Sequence, residues 1–328
     1  MAFLTSLRDS LLFGFILIFG HAILGVIAHE FGHLVFGKLT GYRFSSFRVG
    51  PLVLFRENDR ITFKFSRSII AGQCLMAPPE NFDDFKFVLY NLGGVIFNFL
   101  LFGVFLYLGV RDGITFNLVL AISNLVPVKA WTNDGFNLCE ALKSKDAAYG
   151  FYMMMYVNHK LVEGERYRDF DEELFKIDDE ADFGNTFVAY MVMLRASRFE
   201  DLGQYDAAQE TLSRLDLTKL PPIYRAMTNA VLLYCCLIYN PDFDRAREIY
   251  KDKKLRKILK SGLPSFMRIA IAYEFFVLND KKISERSDYL LKKAKKAANN
   301  LPNVGQREME LEYIQKLEEQ ICRALTAS

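Results

Sequence analysis

Five cysteines, Cys74, Cys139, Cys235, Cys236 and Cys322, are scattered through 328 residues without a single CxxC spacing. An odd number with no paired motif fits reduced thiols rather than a disulfide framework. Charge of either sign in excess is also missing: 41 Lys plus Arg stand against 39 Asp plus Glu, a net charge of +2. A near-neutral total argues against a generic nucleic-acid binder. With 30 Phe and 16 Tyr the chain is not short of aromatics, which excludes disorder. The most telling shortage is local. Residues 1–140 carry only 21 of the 80 charged side chains, 11 basic and 10 acidic, so the two parts of the chain are built for different solvents.

From Leu11 to Gly37 the one formally charged residue is Glu30, and the stretch exceeds the roughly 20 apolar residues that cross a bilayer as a helix. The apolar region of a secretory signal, about 7 to 15 residues, is shorter than this. Phe87 to Val110 is a second uncharged stretch of spanning length. Ile114 to Val128 is a shorter third, with Arg111, Asp112 and Gly113 as the expected turn before it and a break at Pro127. The segment between the first two spans holds Lys38, Arg43, Arg48, Arg56, Arg60, Lys64, Arg67 and Lys86, and the positive-inside rule places it in the cytoplasm. Three spans then put the N-terminus outside and the C-terminal part in the cytoplasm, although Arg8 mildly opposes that orientation. Val49 to Arg56 and Arg60 to Phe65 flank Glu57, Asn58 and Asp59 and read as a β-hairpin leaning on the bilayer surface.

The expected fold is mainly α: a membrane-embedded helical core of about three spans over 1–142, with the small membrane-associated hairpin. A juxtamembrane helix and acidic connector follow over 143–183, then a soluble all-α domain over 184–328. The connector carries ten acidic residues between Glu163 and Asp182 but lacks the ligand order of an EF-hand, so it reads as a solvated acidic stretch. Met153, Met154 and Met155 read as packing of an interfacial helix. In the last domain Tyr205, Asp206 and Ala208 recur as Phe243, Asp244 and Ala246, 38 positions on, with a fainter copy from Asn279 to Leu291. Such spacing resembles tetratricopeptide-class helical hairpins, which stack and leave a surface for a protein partner; an irregular helical domain with no such role is the competing reading.

The chemistry lies in the first span, at His29-Glu30-Phe31-Gly32-His33. On a helix, positions i and i+4 share a face, so both imidazoles reach one metal ion while Glu30 leans over the adjacent water position. Two His and one carboxylate leave zinc an open position for water, whose pKa falls towards about 7. One Glu and two His within hydrocarbon mark a functional site by default, because such groups are costly there. A third ligand is needed, and Asp134 is the best candidate. It follows Asn124-Leu125-Val126-Pro127 in a stretch that Pro127 and Gly135 can break, and its plain alternative is an N-cap for the helix from Phe136 to Leu142. His21, two turns from His29, reads as a packing residue, and His159 receives no role.

These motifs resemble the site-2 protease family, the intramembrane zinc metalloproteases, over roughly residues 10–142. HEFGH is the strongest part, NLVP followed by NDG the next. The resemblance implies that His29, His33 and Asp134 bind Zn2+, that Glu30 is the catalytic base, and that the hairpin is the family's membrane-associated β-element. Asn91 to Asn98 is similar to the family's Gly-Pro-x-x-Asn helix, with Gly94 and Asn98 at matching positions and Val95 where proline is expected. Asn124 and Pro127 are implied as supporting residues. The interval from Pro127 to Asp134 is two residues longer than the commonest version, and there is no room for a PDZ insertion, which points to a divergent bacterial-type member. The implied activity is hydrolysis of a membrane-anchored regulator or signal/pheromone-type peptide near the cytoplasmic membrane face, as in regulated intramembrane proteolysis. The implied partners are that substrate, the lipid bilayer and a protein partner of the helical domain, with no nucleic acid. A non-proteolytic membrane adaptor is the rival reading; a metal-dependent transporter would need more spans.

Overall fold

The computed structural model describes residues 2–57, 60–65, 71–130, 132–278, 281–301 and 304–327. Asn58 and Asp59 of the expected hairpin turn, Arg67, Trp131, and the first two residues of the faint third repeat lie outside them. The protein is mainly helical with one small antiparallel sheet, and it divides into two compact units, Met1–Lys143 and Ser144–Ser328.

The first unit begins with α1 (Ala2–Leu39). Its stretch Gly14–Leu39 and the later segment Phe82–Leu108, which contains α2 (Phe87–Leu108), are long and apolar enough to cross a membrane. Both carry apolar side chains on their outer surfaces: Phe15, Phe19, Leu100 and Tyr107 are all exposed. The expected third span, α3 (Arg111–Leu125), has 15 residues. At about 1.5 Å per residue it reaches roughly 22 Å, short of a hydrocarbon core of about 30 Å, so the described residues contain two helices of spanning length rather than a clear three. The turn before α3 also differs from expectation. Gly109, at φ 70°, ends α2 in the left-handed conformation, and Val110 N–H returns to Phe105 O at 3.0 Å. Arg111 and Asp112 therefore already belong to α3.

Between α1 and α2 the expected hairpin is the outer half of a four-stranded sheet ordered β3-β2-β1-β4, with β1 Arg43–Val49, β2 Leu52–Glu57, β3 Arg60–Phe65 and β4 Gly72–Ala77. Val49 belongs to β1, paired with Leu52 across the β1/β2 turn. Register aligns Leu54 with Phe63 and Leu52 with Phe65, and these side chains are exposed, so one face of the hairpin is an uncovered apolar strip. The inner edge is covered instead. On β4, Cys74 and Met76 are buried, Tyr90 Oη donates to Cys74 O at 3.0 Å, and Tyr42 stacks on Tyr90 at 4.9 Å.

The second unit runs from α5 (Lys145–Glu163) through α6 (Thr186–Asp201), α7 (Tyr205–Ser213), α8 (Pro222–Tyr234), α9 (Phe243–Ile249), α10 (Lys253–Ile258), α11 (Pro264–Phe276) and α12 (Lys281–Asn299) to α13 (Val304–Ala327). The 38-residue repeat has a structural cause. α7 and α9 are the second arms of the hairpins α6–α7 and α8–α9, and the recurring Ala208 and Ala246 are both fully buried where the arms meet. Tyr205, at the start of α7, stacks on Tyr239 of the π turn that ends α8. The core continues through Leu291, Ala294 and Ala298 of α12 and Ile314, Leu317 and Ile321 of α13, one helical stripe from each.

The acidic stretch is solvated as expected, nine of its ten acidic residues being exposed, and its apolar residues fold against the unit. Two short 3-10 turns, Tyr167–Asp169 and Glu172–Phe175, bury Phe170 and Phe175, and Arg166 closes on the fully buried Asp201 carboxylate. Its acids find cations: Asp179 pairs with Arg214 at 2.7 Å and Glu172 with Arg198 at 3.6 Å. Met153 is a core residue of this unit, fully buried on the α5 helix. All five cysteines are free.

Candidate metal centre

α1 places His29, Glu30 and His33 in the interior, each less than a tenth exposed, although the helix around them is apolar. Each imidazole is held from behind. His29 Nδ1 lies 2.8 Å from Asn98 Oδ1 and His33 Nδ1 lies 2.8 Å from Tyr90 O. Asn98 fixes the first of these contacts by its own bonding. Its amide nitrogen donates to Gly25 O at 2.9 Å and to Asn117 Oδ1 at 3.1 Å, which uses both hydrogens and leaves Oδ1 as the acceptor for His29. A backbone carbonyl accepts only, so His33 Nδ1 is also a donor. In the neutral form of each ring this leaves the Nε2 lone pair free, the form in which an imidazole binds a metal.

Helix approach depends on missing side chains. A Cβ on Gly94 would stand 2.5 Å from His29 Cε1, and Gly32 of α1 and Gly93 of α2 leave room for the two backbones to touch. Close approach through small residues is how helices pack in an apolar solvent, where oily side chains gain nothing by meeting one another.

Asp134 reaches the cluster because of a broken helix. Proline has no N–H, so Pro127 cannot bond Ser123 O, and α3 ends at Leu125. Asn133 repairs the break: its side-chain nitrogen donates to Ser123 O at 2.5 Å and Val126 O at 2.6 Å, while Oδ1 accepts from Phe136 N at 3.0 Å. Asn133 is thus the N-cap of α4 (Asp134–Ala141), and Asp134, at the first helical position, is released from capping to face the histidines. The preceding Thr132 stands at φ 49°, a conformation costly for a β-branched residue and held here between loop and cap.

His29 Nε2 lies 3.0 Å from Asp134 Oδ2, His33 Nε2 lies 3.3 Å from the same oxygen, and the two Nε2 atoms are 3.3 Å apart. This His29-His33-Asp134 cluster could hold a metal ion. Glu30 sits beside it with its carboxyl hydrogen-bonded by the backbone of Cys74, so β4, the inner edge of the sheet, borders the centre.

Of the expected supporting residues, Asn98 and Gly94 contact His29 directly. Asn124 does not join the cluster: its side chain bonds back to Leu120 O, one turn up its own helix, because Asn133 already serves the broken end. Pro127 is exposed and acts through the helix break alone. His21 packs edge-on against Phe105 at 5.2 Å, as a packing residue would. His159 pairs with Glu163 at 3.2 Å in the second unit. Sequence reasoning overlooked two residues. Asn117, fully buried, supports Asn98, and its signal was a lone amide within an apolar stretch. Asn133 stood in the quoted NDG motif without a role, and its signal was an Asn followed by an acid at the start of a helix. Comparison with protein-family models, curated proteins and solved structures gives no match.

Proposed function

We propose that the first unit is an intramembrane zinc endopeptidase of site-2 protease type. The observation that carries this reading is the convergence of two imidazole nitrogens and one carboxylate oxygen, both histidines anchored through Nδ1, within a helix apolar enough to span a bilayer. The donor set suits zinc. A tetrahedral ion with bonds of about 2.0 to 2.1 Å needs ligand atoms about 3.3 Å apart, against spacings of 3.0, 3.3 and 3.3 Å here. Softer metals favour thiolates, and no Cys joins the cluster among the described residues.

His29, His33 and Asp134 would hold the ion, which supplies polarisation of the scissile carbonyl and acidifies a water at its open position. Glu30 takes the proton from the attacking water and delivers it to the departing amine. Asn98 and the Tyr90 carbonyl keep both rings aimed during the reaction. A transmembrane helix hides its peptide bonds in its own hydrogen bonds, so the substrate must arrive locally unwound. The exposed edge of the hairpin, β3, offers strand pairing for such a segment. In this reading the exposed strip of Leu52, Leu54, Phe63 and Phe65 rests on the bilayer, α3 completes a third, partial crossing, and the basic segment after α1 faces the cytoplasm together with the second unit.

The test is expression of Glu30→Gln beside wild type, with membrane peptides compared by mass spectrometry and zinc measured in the purified proteins. The reading expects about one zinc per chain in both and peptides that accumulate uncut only in the mutant. Identical peptide profiles and zinc-free wild type would leave the adaptor reading in its place.

A further inference from the structure

Charge in the second unit is segregated, although its two signs balance. Residues 144–240 carry 10 basic against 16 acidic side chains, and residues 241–328 carry 19 against 13. The excess of cations is concentrated further. No acidic residue occurs from Lys253 to Tyr273, and α10 with the turn after it presents Lys253, Lys254, Arg256, Lys257 and Lys260 to solvent. The outer face of α12 adds Arg286, Lys292, Lys293 and Lys296, against Asp288 as the one exposed acid on that helix among the described residues. None of these nine cations is in an ion pair among the described residues, whereas Arg247 pairs with Asp244 and Lys251 with Glu248 just before them.

α10 and α12 also share one core. Leu255 and Leu259 of the first and Leu291, Ala294 and Ala298 of the second are buried in the same cluster, so the opposite faces of both helices, which hold the cations, point away from it. Two exposed apolar side chains stand among the charges. Leu263 is 50% exposed behind Gly262, whose φ of 81° turns the chain there, and Tyr289 is 64% exposed on the cationic face of α12. Cations around an exposed leucine and tyrosine match the boundary of a bilayer, where phosphates meet acyl chains. A free polyanion such as RNA would satisfy the cations as well, but the connection of the chain favours lipid. Only Leu142, Lys143 and Ser144 separate α4 from α5, so a bilayer that holds the first unit is always within reach of the second.

We infer that the face formed by α10, its following turn and α12 docks on an anionic phospholipid surface, with Leu263 and Tyr289 in the headgroup layer. The inference rests on the membrane reading of the first unit and not on its metal chemistry. Near an anionic leaflet each Lys or Arg favours the docked state about fivefold, and at 1 M salt, where the screening length falls to about 3 Å, most of that attraction is lost.

The experiment uses the full chain in nanodiscs of phosphatidylcholine alone or with about 30% phosphatidylglycerol, a mimic of an anionic leaflet. Lysines are acetylated briefly and quantified by mass spectrometry. Labelling of Lys253, Lys254, Lys257, Lys260, Lys292, Lys293 and Lys296 falls at least threefold in the anionic discs and recovers at 1 M salt, while the exposed Lys176 and Lys219 in the acidic half label equally in both. A variant with Lys253, Lys254, Lys257 and Lys260 all changed to Gln removes charges that have no partner in the fold. It keeps the wild-type melting temperature and restores at least half of the labelling at Lys292, Lys293 and Lys296. Equal labelling in the two discs, an equal fall at Lys176 and Lys219, unchanged α12 protection in the variant, or protection in neutral discs by added polyuridylate but not by phosphatidylglycerol overturns the assignment. A chain that does not enter nanodiscs at all refutes the membrane reading and this inference with it; a chain that enters them with its lysines equally labelled refutes this inference alone.

Discussion

Removing the Asn98 side chain tests how the candidate metal centre is built without touching a candidate ligand. In Asn98→Ala, the His29 ring loses the Nδ1 partner that the fold supplies, and Gly25 O and Asn117 Oδ1 lose the Asn98 amide as a donor, all in a region where Asn98 itself is fully buried. Outer partners of metal-bound histidines are worth about 10- to 100-fold in affinity, or roughly 1.4 to 2.7 kcal/mol at the metal. The helix contact suffers separately: side-chain hydrogen bonds between membrane helices average about 0.6 kcal/mol each, so three of them contribute roughly 2 kcal/mol to the packing of α1, α2 and α3. Asn98→Asp separates the two effects. Its carboxylate still accepts from His29 Nδ1 while both donors are lost, so zinc affinity stays within a few-fold of wild type and only packing weakens. The assay is competition with a chromophoric chelator on purified protein, alongside thermal unfolding in detergent. An Asn98→Ala protein that holds zinc against the chelator as wild type does would refute the argument that the amide aims His29.

Gly94→Ala drives a methyl group into the His29 ring, and the expected outcome is loss of stoichiometric zinc by elemental analysis with α1 and α2 still helical by circular dichroism. Asn133→Ala removes the α4 cap and the partners of Ser123 O and Val126 O; it costs about 1 to 2 kcal/mol in thermal unfolding and lowers zinc affinity although every ligand remains. Glu200 gives a pH signature in the second unit. Its carboxyl titrates near 7 when folded, above its ordinary value of 4.5, so the folded state holds the proton more tightly. Stability associated with that proton is present below about pH 4.5 and is lost as pH rises through 7, up to about 3 kcal/mol. Glu200→Gln therefore raises the melting temperature at pH 8 and leaves it nearly unchanged at about pH 3.5; equal effects at both pH values would contradict the burial argument.

The HEFGH motif was legible in full because its two imidazoles depend only on the helical repeat, which any continuous apolar helix supplies. Asp134 was legible as a candidate, but the reason it is free to face the histidines was not. That reason is Asn133, which takes over capping through contacts to Ser123 and Val126 across a loop. The hairpin was read from two β-rich runs, while β1 and β4, which complete the sheet, contain too few alternating apolar residues to stand out and form only where β1 can pair on both sides. The acidic stretch was legible as solvated, and its carboxylates are mostly exposed, whereas its place in the fold, decided by Phe170 and Phe175, was not.

Residue spacing along single helices thus showed two of the three expected spans and the paired histidines with their glutamate, because each is a property of one helix, and it hinted at the 38-residue repeat beside an irregular helical domain. Convergence of Asp134 on the two histidines, the Asn117–Asn98–His29 chain and the sheet edge at Glu30 joins residues from about 20 to more than 100 positions apart. Such contacts depend on how helices cross and where a backbone is interrupted, and packing between elements, which no periodicity within one element encodes, determines both.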